Sequence, residues 1–131
     1  SADLDCLIDI SVNAHIPESY VESLTLRLDV YRRIADIRNK EDSLDVKDEL
    51  RDRFGEIPES VLGLIDIALI RNCANAMGIY EIRQTETNVL LFVKEIKSPK
   101  VIELLSRLKP YITIRCGGGS SLEMLKKVFK I

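Results

Sequence analysis

The segment from Pro58 to Met77 carries apolar residues on nearly every side of a helix, and it constrains the fold more than any other feature. Proline suits the first turn of a helix, where its missing N–H would have no partner, and Gly78 suits the position just after the last turn. A helix that is apolar all round must be covered on several sides. We therefore expect this helix to be the most buried element of the chain.

A strand and a long helix are predicted ahead of it. Asp5–Val12 partly alternates apolar and polar residues, which indicates a strand with one buried face. Ser19–Arg38 is predicted to be helical, and Ser19 and Glu22 form an S-x-x-E capping box at its start. Two apolar rows of this helix are expected to face the core: Leu24, Leu28, Tyr31 and Ala35 in one, and Leu26, Val30, Ile34 and Ile37 in the other.

A second helix is predicted from about Leu44 to Phe54. Ser43 is its expected N-cap, and Gly55 is expected in the left-handed conformation that closes many helices. Asn39–Asp42 should then be a polar break between the first two helices. The inward row of this second helix has members four residues apart: Val46, Leu50 and Phe54.

The hydrophobic period changes after Gly78. Ile79–Thr85 and Val89–Ile96 are predicted strands joined by a hairpin turn. The later predicted elements are a helix opened by Ser98 and Pro99 and ending at Leu108, a strand at Tyr111–Cys116, and a short helix capped by Ser120 and Glu123. Strands mix with helices without regular βαβ alternation. The fold class is therefore α+β, with a helix-rich N-terminal half packed with a small mixed sheet made of the hairpin plus further strands.

Length and composition are those of a single globular domain. The chain has 131 residues, of which 46% are hydrophobic and 31% are charged. We expect residues 4–131 to form one domain and residues 1–3 to be a cloning remnant or a linker. No apolar run approaches the ~20 residues that cross a bilayer, so we expect a soluble, cytoplasmic domain without membrane contact.

Charge is distributed unevenly along the chain. Residues 1–60 contain 15 Asp and Glu against 8 Lys and Arg, whereas residues 61–131 contain 6 against 11. An acidic first half repels a phosphate backbone, so a basic protein surface is the better-matched partner there. The basic second half leaves an alternative open, a direct nucleic-acid contact through Lys94, Lys97, Lys100, Arg107 and Lys109. Neither half has a basic face interleaved with aromatic residues, so direct DNA binding is the less favoured reading.

Side chains suited to catalysis or metal binding are few. His15 is the only histidine and lacks an acidic partner, so we expect it to be a turn residue. Cys6, Cys73 and Cys116 lie far apart without a C-x-x-C pair, which predicts free thiols in a reducing compartment. Gly117–Gly119 precedes a helix but lacks the lysine of a phosphate-binding loop. We therefore expect no catalytic residue, no metal and no cofactor in this domain.

Four carboxylates form a stripe on the predicted second helix. Asp45, Asp48, Glu49 and Asp52 lie at positions i, i+3, i+4 and i+7, which share one side of a helix. At ~100° per residue, this side is turned about a right angle or more from the inward row. One interpretation is a solvated acidic face. The other is a docking stripe for Arg or Lys on a partner, because charge pairs desolvated at an interface cost ~2–5 kcal/mol when one member is lost.

Several motifs resemble one known family. They are A-H-I-P-E-S-Y-V at Ala14–Val21, R-L-x-x-Y-R-R-I-A at Arg27–Ala35, D-E-L-x-D-R-F-G-x-I-P at Asp48–Pro58, and A-x-x-x-G-I at Ala74–Ile79. Together they resemble the C-terminal domain of the bacterial transcription-repair coupling factor (Mfd, TRCF) family. The resemblance covers about residues 4–80 and continues beyond them only as a pattern of strands and helices.

The resemblance implies a regulatory domain of a large ATP-driven DNA translocase. In the family, this domain has no ATPase motif, packs on a UvrB-like module of the same protein, and masks the UvrA-binding surface. ATP, UvrA and RNA polymerase are then partners of the parent protein only. The family's acidic contacts match Glu49 and Asp52 here, while Asp45 and Asp48 extend the site from the stripe itself. The resemblance also leads us to expect a shortened version of the family's tail after the last helix.

Overall fold

The computed structural model describes residues 5–95, 98–109 and 121–131. The helices of this part of the chain are α1 (Leu24–Ala35), α2 (Lys40–Phe54), α3 (Glu59–Ala76), α4 (Pro99–Leu108) and α5 (Ser121–Phe129). The strands are β1 (Leu7–Asp9), β2 (Ile79–Gln84) and β3 (Val89–Val93). These elements confirm the α+β class, with helices leading and a small mixed sheet formed by the hairpin and one further strand.

The fold divides into two compact units. The first, which we call the helical unit, is Val12–Leu69 and holds α1, α2 and the first part of α3. The second, the sheet unit, consists of the residues up to Ser11 and those from Ile70 onward. The helix α3 belongs to both, and it carries more buried residues than any other described helix. This agrees with the apolar character of its sequence. That residues 4–131 form one domain stays a prediction.

The helical unit has an aliphatic core contributed by each of its helices. Its members include Val30, Ile34, Val46, Leu50, Val61 and Ile65. Val46, Leu50 and Ile65 are fully buried, and burial of one such side chain stabilises a fold by about 1.5–3 kcal/mol. The inward row predicted for α2 is therefore confirmed at its first two positions, and Phe54 is half-buried.

The start of α1 differs from the prediction. The helix begins at Leu24, and Ser23 is the N-cap, its hydroxyl oxygen accepting from the Leu26 N–H at 3.3 Å. Ser19 lies instead in a turn closed by hydrogen bonds from the Tyr20 and Val21 N–H groups to the Pro17 carbonyl. The capping box predicted at Ser19 was wrong, because this turn precedes the helix and buries Val21.

One of the two apolar rows predicted for α1 is exposed. Val30, Ile34 and Ile37 of the second row are buried, whereas Leu24 and Leu28 of the first row are 63% and 47% exposed. At ~100° per residue, the first row lies about a quarter-turn or more around the helix from the Val30 and Ile34 side. The prediction that both rows face the core was wrong, because a helix at the surface of a unit has one stripe covered.

The start of α2 also differs, and the difference enlarges the acidic face. Asn39 is the N-cap, its amide oxygen accepting from the Asp42 N–H at 2.8 Å, and the Asp42 carboxylate accepts from the Arg38 N–H at 2.9 Å. Ser43, the predicted cap, is buried inside the helix and donates to the Lys40 carbonyl at 2.6 Å. The predicted polar break is therefore the first turn of α2.

The sheet unit contains a three-stranded mixed sheet in the order β1-β2-β3. β1 pairs with β2 in parallel, with Ile8 opposite Ile82, and β2 pairs with β3 antiparallel, with Ile82 opposite Leu91. Gly78 has a φ of 75°, which lets the chain leave α3 directly into β2. The strand predicted at Asp5–Val12 is present but reduced to three residues.

The last two described helices agree with the sequence. Ser98 caps α4 by accepting from the Val101 N–H at 3.2 Å, and Pro99 lies in its first turn. Four apolar residues of α5 are buried: Leu122, Leu125, Val128 and Phe129. The strand predicted at Tyr111–Cys116, the turn at Gly117–Gly119 and the capping residue Ser120 lie outside the described residues.

Candidate protein-interaction face

The four residues of the predicted acidic stripe all lie within α2. Because α2 is helical from Lys40 to Phe54, the spacing of Asp45, Asp48, Glu49 and Asp52 translates directly into a shared side of the helix. The opposite side carries Val46 and Leu50, which are fully buried. The hydrophobic side therefore fixes the rotation of α2 and turns the acidic side outward.

Asp45 and Asp52 are exposed side chains on the outer side of α2. They are seven residues apart, which is two helical turns or ~10.5 Å along the axis. Among the residues that the structure describes, no ion pair involves either of them. Both carboxylates are therefore available to an external cation.

Asp48 is also exposed, but it has an internal partner. Its side chain is 77% exposed and lies 3.4 Å from the Arg51 guanidinium one turn later. An exposed pair of this kind contributes little to stability, about 0.3–0.5 kcal/mol in a helix. A partner's cation can therefore replace Arg51 at small cost.

Glu49 differs from the other three carboxylates. Its side chain is 35% exposed, and each carboxylate oxygen has its own arginine. Oε1 lies 3.3 Å from Nε of Arg33 on α1, and Oε2 lies 3.3 Å from a terminal nitrogen of Arg53 on α2. The structure thus places Glu49 as a bridge between the two helices. This bridge was not predicted from the sequence, since Arg33 and Glu49 are sixteen residues apart along the chain.

One further acidic residue, Glu41, lies on this side of α2 and was not predicted from the sequence. Because α2 starts at Lys40, Glu41 lies on the helix four residues before Asp45, and its side chain is exposed. Glu41, Asp45, Asp48 and Asp52 then follow the spacing i, i+4, i+7 and i+11, which defines a narrow stripe. The signal that could have found it is the pair Asn39 and Asp42 at the helix start: the Asn39 amide oxygen accepts from the Asp42 N–H, and the Asp42 carboxylate accepts from the Arg38 N–H.

The acidic face is held in place at the end of α2. The Tyr20 hydroxyl lies 3.2 Å from the Leu50 carbonyl and 3.0 Å from the Gly55 carbonyl, and the Tyr20 and Phe54 rings are 5.7 Å apart. Gly55 has a φ of 89°, a conformation that side-chain-bearing residues rarely adopt. Ile57, two residues further along the chain, is buried. The D-R-F-G-x-I-P segment therefore closes α2 and leads into α3.

The cysteines that the structure describes are poorly suited to act as nucleophiles. Cys6 is buried, and burial raises its pKa from 9.0 to about 11, although Arg71 opposes this. Burial likewise raises the pKa of the Cys73 thiol. Both thiols are free and remain protonated at neutral pH. Cys116 lies outside the described residues.

The residues that the structure describes form neither a metal-ion site nor a membrane-spanning helix. In residues 5–95, 98–109 and 121–131 no group of three His, Cys, Asp or Glu side chains is placed to hold a metal ion. None of the helices in those same ranges is long and apolar enough to span a bilayer. His15 is exposed, and its backbone N–H donates to the Ser60 carbonyl at 3.2 Å.

The cationic residues of the alternative nucleic-acid surface are partly engaged within the chain. Lys100 donates to the Ala76 carbonyl at 2.9 Å, which places its charge at the C-terminus of α3. Arg107 forms an ion pair with Glu103 one turn earlier in α4. Lys94 and Lys109 are exposed, and Lys97 lies outside the described residues.

Comparison with known proteins identifies relatives along most of the chain. The TRCF domain family matches residues 10–104, further than the motifs that carry the resemblance. The transcription-repair-coupling factor of Mycobacterium tuberculosis is 38% identical over 78 residues, 60% of this chain and 6% of that protein. That of Staphylococcus epidermidis is 30% identical over 99 residues, 76% of this chain and 8% of that protein. That of Rickettsia prowazekii is 28% identical over 123 residues, 92% of this chain.

The fold has a counterpart among solved structures. A crystal structure of the C-terminal domain of transcription-repair coupling factor matches with a TM-score of 0.79, over 95% of this chain and 88% of that one. The sequence identity is 15%, so this likeness concerns the fold alone. The chain spans only 6% to 11% of the length of the curated relatives named above. The chain belongs to the TRCF domain family, and its fold is that of the C-terminal domain of transcription-repair coupling factors.

Proposed function

We propose that this chain is a non-catalytic regulatory domain that docks through the acidic face of α2 onto a basic surface of the UvrB-like module of its parent protein. Docking there masks the UvrA-binding surface and keeps the parent autoinhibited. The observation that carries this proposal is the outward placement of Asp45, Asp48 and Asp52 on a helix whose rotation is fixed by its buried side.

Electrostatics supports a basic partner. The outer side of α2 concentrates carboxylates in a narrow stripe, and Arg51 is the arginine that pairs there, with Asp48. Like charges at i+3 and i+4 spacing destabilise an isolated helix by a few tenths of a kcal/mol per pair. A cationic surface relieves that repulsion, and complementary potentials raise both association rate and specificity. A DNA backbone is repelled by the same stripe.

The proposal assigns the remaining activities to other parts of the parent protein. The chain spans a small fraction of its relatives' length, so ATP hydrolysis, DNA translocation and contacts with RNA polymerase belong to other segments. No cofactor is assigned to this domain. The expected cytoplasmic location follows from the parent's role in DNA repair.

The direct test is a binding titration between this chain and the isolated UvrB-like module. The variant Asp45→Asn/Asp52→Asn removes two exposed charges without adding bulk, and we expect it to weaken binding about 10-fold. The matched control is Glu18→Gln/Glu22→Gln, which neutralises two exposed carboxylates of the same unit outside α2. Equal affinities for wild type and the α2 variant would exclude this face from the interface.

The alternative is a nucleic-acid contact through the basic residues of the sheet unit, supported by the exposed Lys94 and Lys109. A gel-shift titration with duplex DNA at low ionic strength distinguishes the two functions. The docking function predicts no shift by the isolated chain. A salt-dependent shift that is lost in Lys94→Gln/Lys109→Gln supports the alternative.

A further inference from the structure

The side chains of Arg33, Glu49 and Arg53 form an internal ion cluster, which we call the Glu49 triad. Each oxygen of the Glu49 carboxylate faces one guanidinium at 3.3 Å, and the three side chains are between 35% and 45% exposed. The triad carries one net positive charge. The neighbouring stripe of Asp45, Asp48 and Asp52 remains negative even with Arg51 included. Glu49 therefore has an electrostatic setting opposite to that of the other stripe residues.

A cation from a partner is repelled by the two arginines of the Glu49 triad. A carboxylate accepts about four hydrogen bonds, so a partner's guanidinium can find a free lone pair on Glu49. It would then lie close to two like charges in a partly desolvated setting, where repulsion is weakly screened. Close contact with Glu49 therefore requires that one of the two arginines leave.

We propose, on the basis of the docking function above, that Arg33 competes with the basic partner for Glu49, so that docking proceeds by exchange of ion pairs. Arg33 lowers the affinity of the docked state and makes it reversible. The affinity of the docking face is thus limited by the chain itself, since part of its acidic charge is already neutralised by Arg33 of the same unit.

Arg33 is the more weakly held of the two arginines. The Arg53 guanidinium lies 4.9 Å from the centroid of the Phe54 ring, a cation–π contact that holds it at the end of α2. Among the described residues, the polar partner of the Arg33 side chain is Glu49. Loss of the Arg33 contact costs one partly exposed ion pair, whereas loss of Arg53 costs an ion pair and a ring contact.

The test is the affinity of the UvrB-like module for four forms of the chain: wild type, Arg33→Gln, Glu49→Gln and the double variant. We expect Arg33→Gln to bind about 2- to 5-fold more tightly, because the partner no longer displaces an internal cation. In the Glu49→Gln background the same change should have less than a 1.5-fold effect. Arg32→Gln is the matched control, since Arg32 is on the same helix and pairs with Asp29 instead.

The possible outcomes separate this inference from the docking function. If Asp45→Asn/Asp52→Asn weakens binding but Arg33→Gln leaves it unchanged, docking stands and the competition is wrong. If Arg33→Gln tightens binding equally with and without the Glu49 carboxylate, or no more than Arg32→Gln does, the effect is one of net charge and the exchange is wrong. A wild-type chain that does not bind the module overturns both proposals. Circular dichroism of each variant checks that the helices are retained.

Discussion

The hydroxyl of Tyr20 lies 3.0 Å from the carbonyl oxygen of Gly55, and this contact joins the two motifs on which the family resemblance chiefly rests. Tyr20 ends the I-P-E-S-Y segment, and Gly55 lies in the D-R-F-G-x-I-P segment. The same hydroxyl is within 3.2 Å of the Leu50 carbonyl. The Tyr20 hydroxyl therefore ties this segment to the last turn of α2, and it provides a donor for the Gly55 carbonyl, which lies beyond the hydrogen bonds of the helix.

Replacement of Tyr20 by phenylalanine should lower the free energy of unfolding by about 1 kcal/mol. The substitution keeps the ring contact with Phe54 and removes only the hydroxyl, which leaves the two carbonyls without this donor. Urea denaturation followed by circular dichroism measures the change. The matched control is Tyr80→Phe in the sheet unit, where the ring is 44% exposed. A loss at Tyr20 no larger than at Tyr80 would show that the hydroxyl does not stabilise the end of α2.

Two serines four residues apart provide a test of where α1 begins. Ser23→Ala should destabilise the chain by about 1 kcal/mol, because the Ser23 oxygen accepts from the Leu26 N–H at the first turn. Ser19→Ala should change stability by less than about 0.5 kcal/mol, because Ser19 is exposed in the preceding turn. The reverse order of the two effects would place the cap at Ser19, as the S-x-x-E pattern alone predicts.

These caps illustrate what the sequence could and could not predict. Periodicity predicted the earlier helices, because one buried side leaves a clear apolar pattern in residues such as Val46 and Leu50, and capping signals predicted α4 and α5. It did not locate the starts of α1 and α2, since several Ser, Asn and Asp residues nearby suit the N-cap equally well. Tertiary contacts decide among them: the turn at Pro17 and the hydroxyl of Tyr20 hold the chain outside α1 until Ser23.

The candidate site, too, could be predicted from the sequence only in part. Asp45, Asp48 and Asp52 can be predicted to face outward. This follows from helical geometry once Val46 and Leu50 are assigned to the core. The pairing of Glu49 with Arg33 depends on how α1 and α2 approach each other, and no local spacing encodes it. A stripe that appears uniform in the sequence is therefore divided by the fold into free carboxylates and one that is already engaged.

The buried thiol of Cys6 should make stability depend on pH in the alkaline range. Burial raises its pKa from 9.0 to about 11, so the folded chain keeps a proton that the unfolded chain loses. The unfolded state then binds fewer protons between about pH 9 and pH 11, and stability falls as pH rises through this window. Cys6→Ala removes this contribution without affecting the other titrating groups directly. The stability advantage of wild type over Cys6→Ala should therefore shrink from pH 8.5 to pH 10.5, and a constant difference would contradict the shift.

Ionic strength tests whether the free carboxylates of α2 bind the partner directly. The Debye length falls from about 10 Å at 0.1 M salt to about 3 Å at 1 M, so attraction between an exposed acidic stripe and a basic surface weakens as salt is added. Wild-type affinity for the UvrB-like module should fall severalfold over this range. Asp45→Asn/Asp52→Asn should bind more weakly at every concentration and depend less on salt, because two of the exposed charges that salt screens are absent.

The dependence of affinity on salt, compared between wild type and Asp45→Asn/Asp52→Asn, separates a direct contact from an indirect effect on folding. Asp45 and Asp52 are exposed and make no ion pair with any other described residue, so their neutralisation should leave unfolding by urea nearly unchanged. A variant that is stable, weaker in binding and less sensitive to salt than wild type has lost charges located at the interface. If the variant binds weakly but keeps the wild-type dependence of affinity on salt, the partner's cations contact other carboxylates of this chain. Glu41, on the same side of α2, is then the next residue to replace.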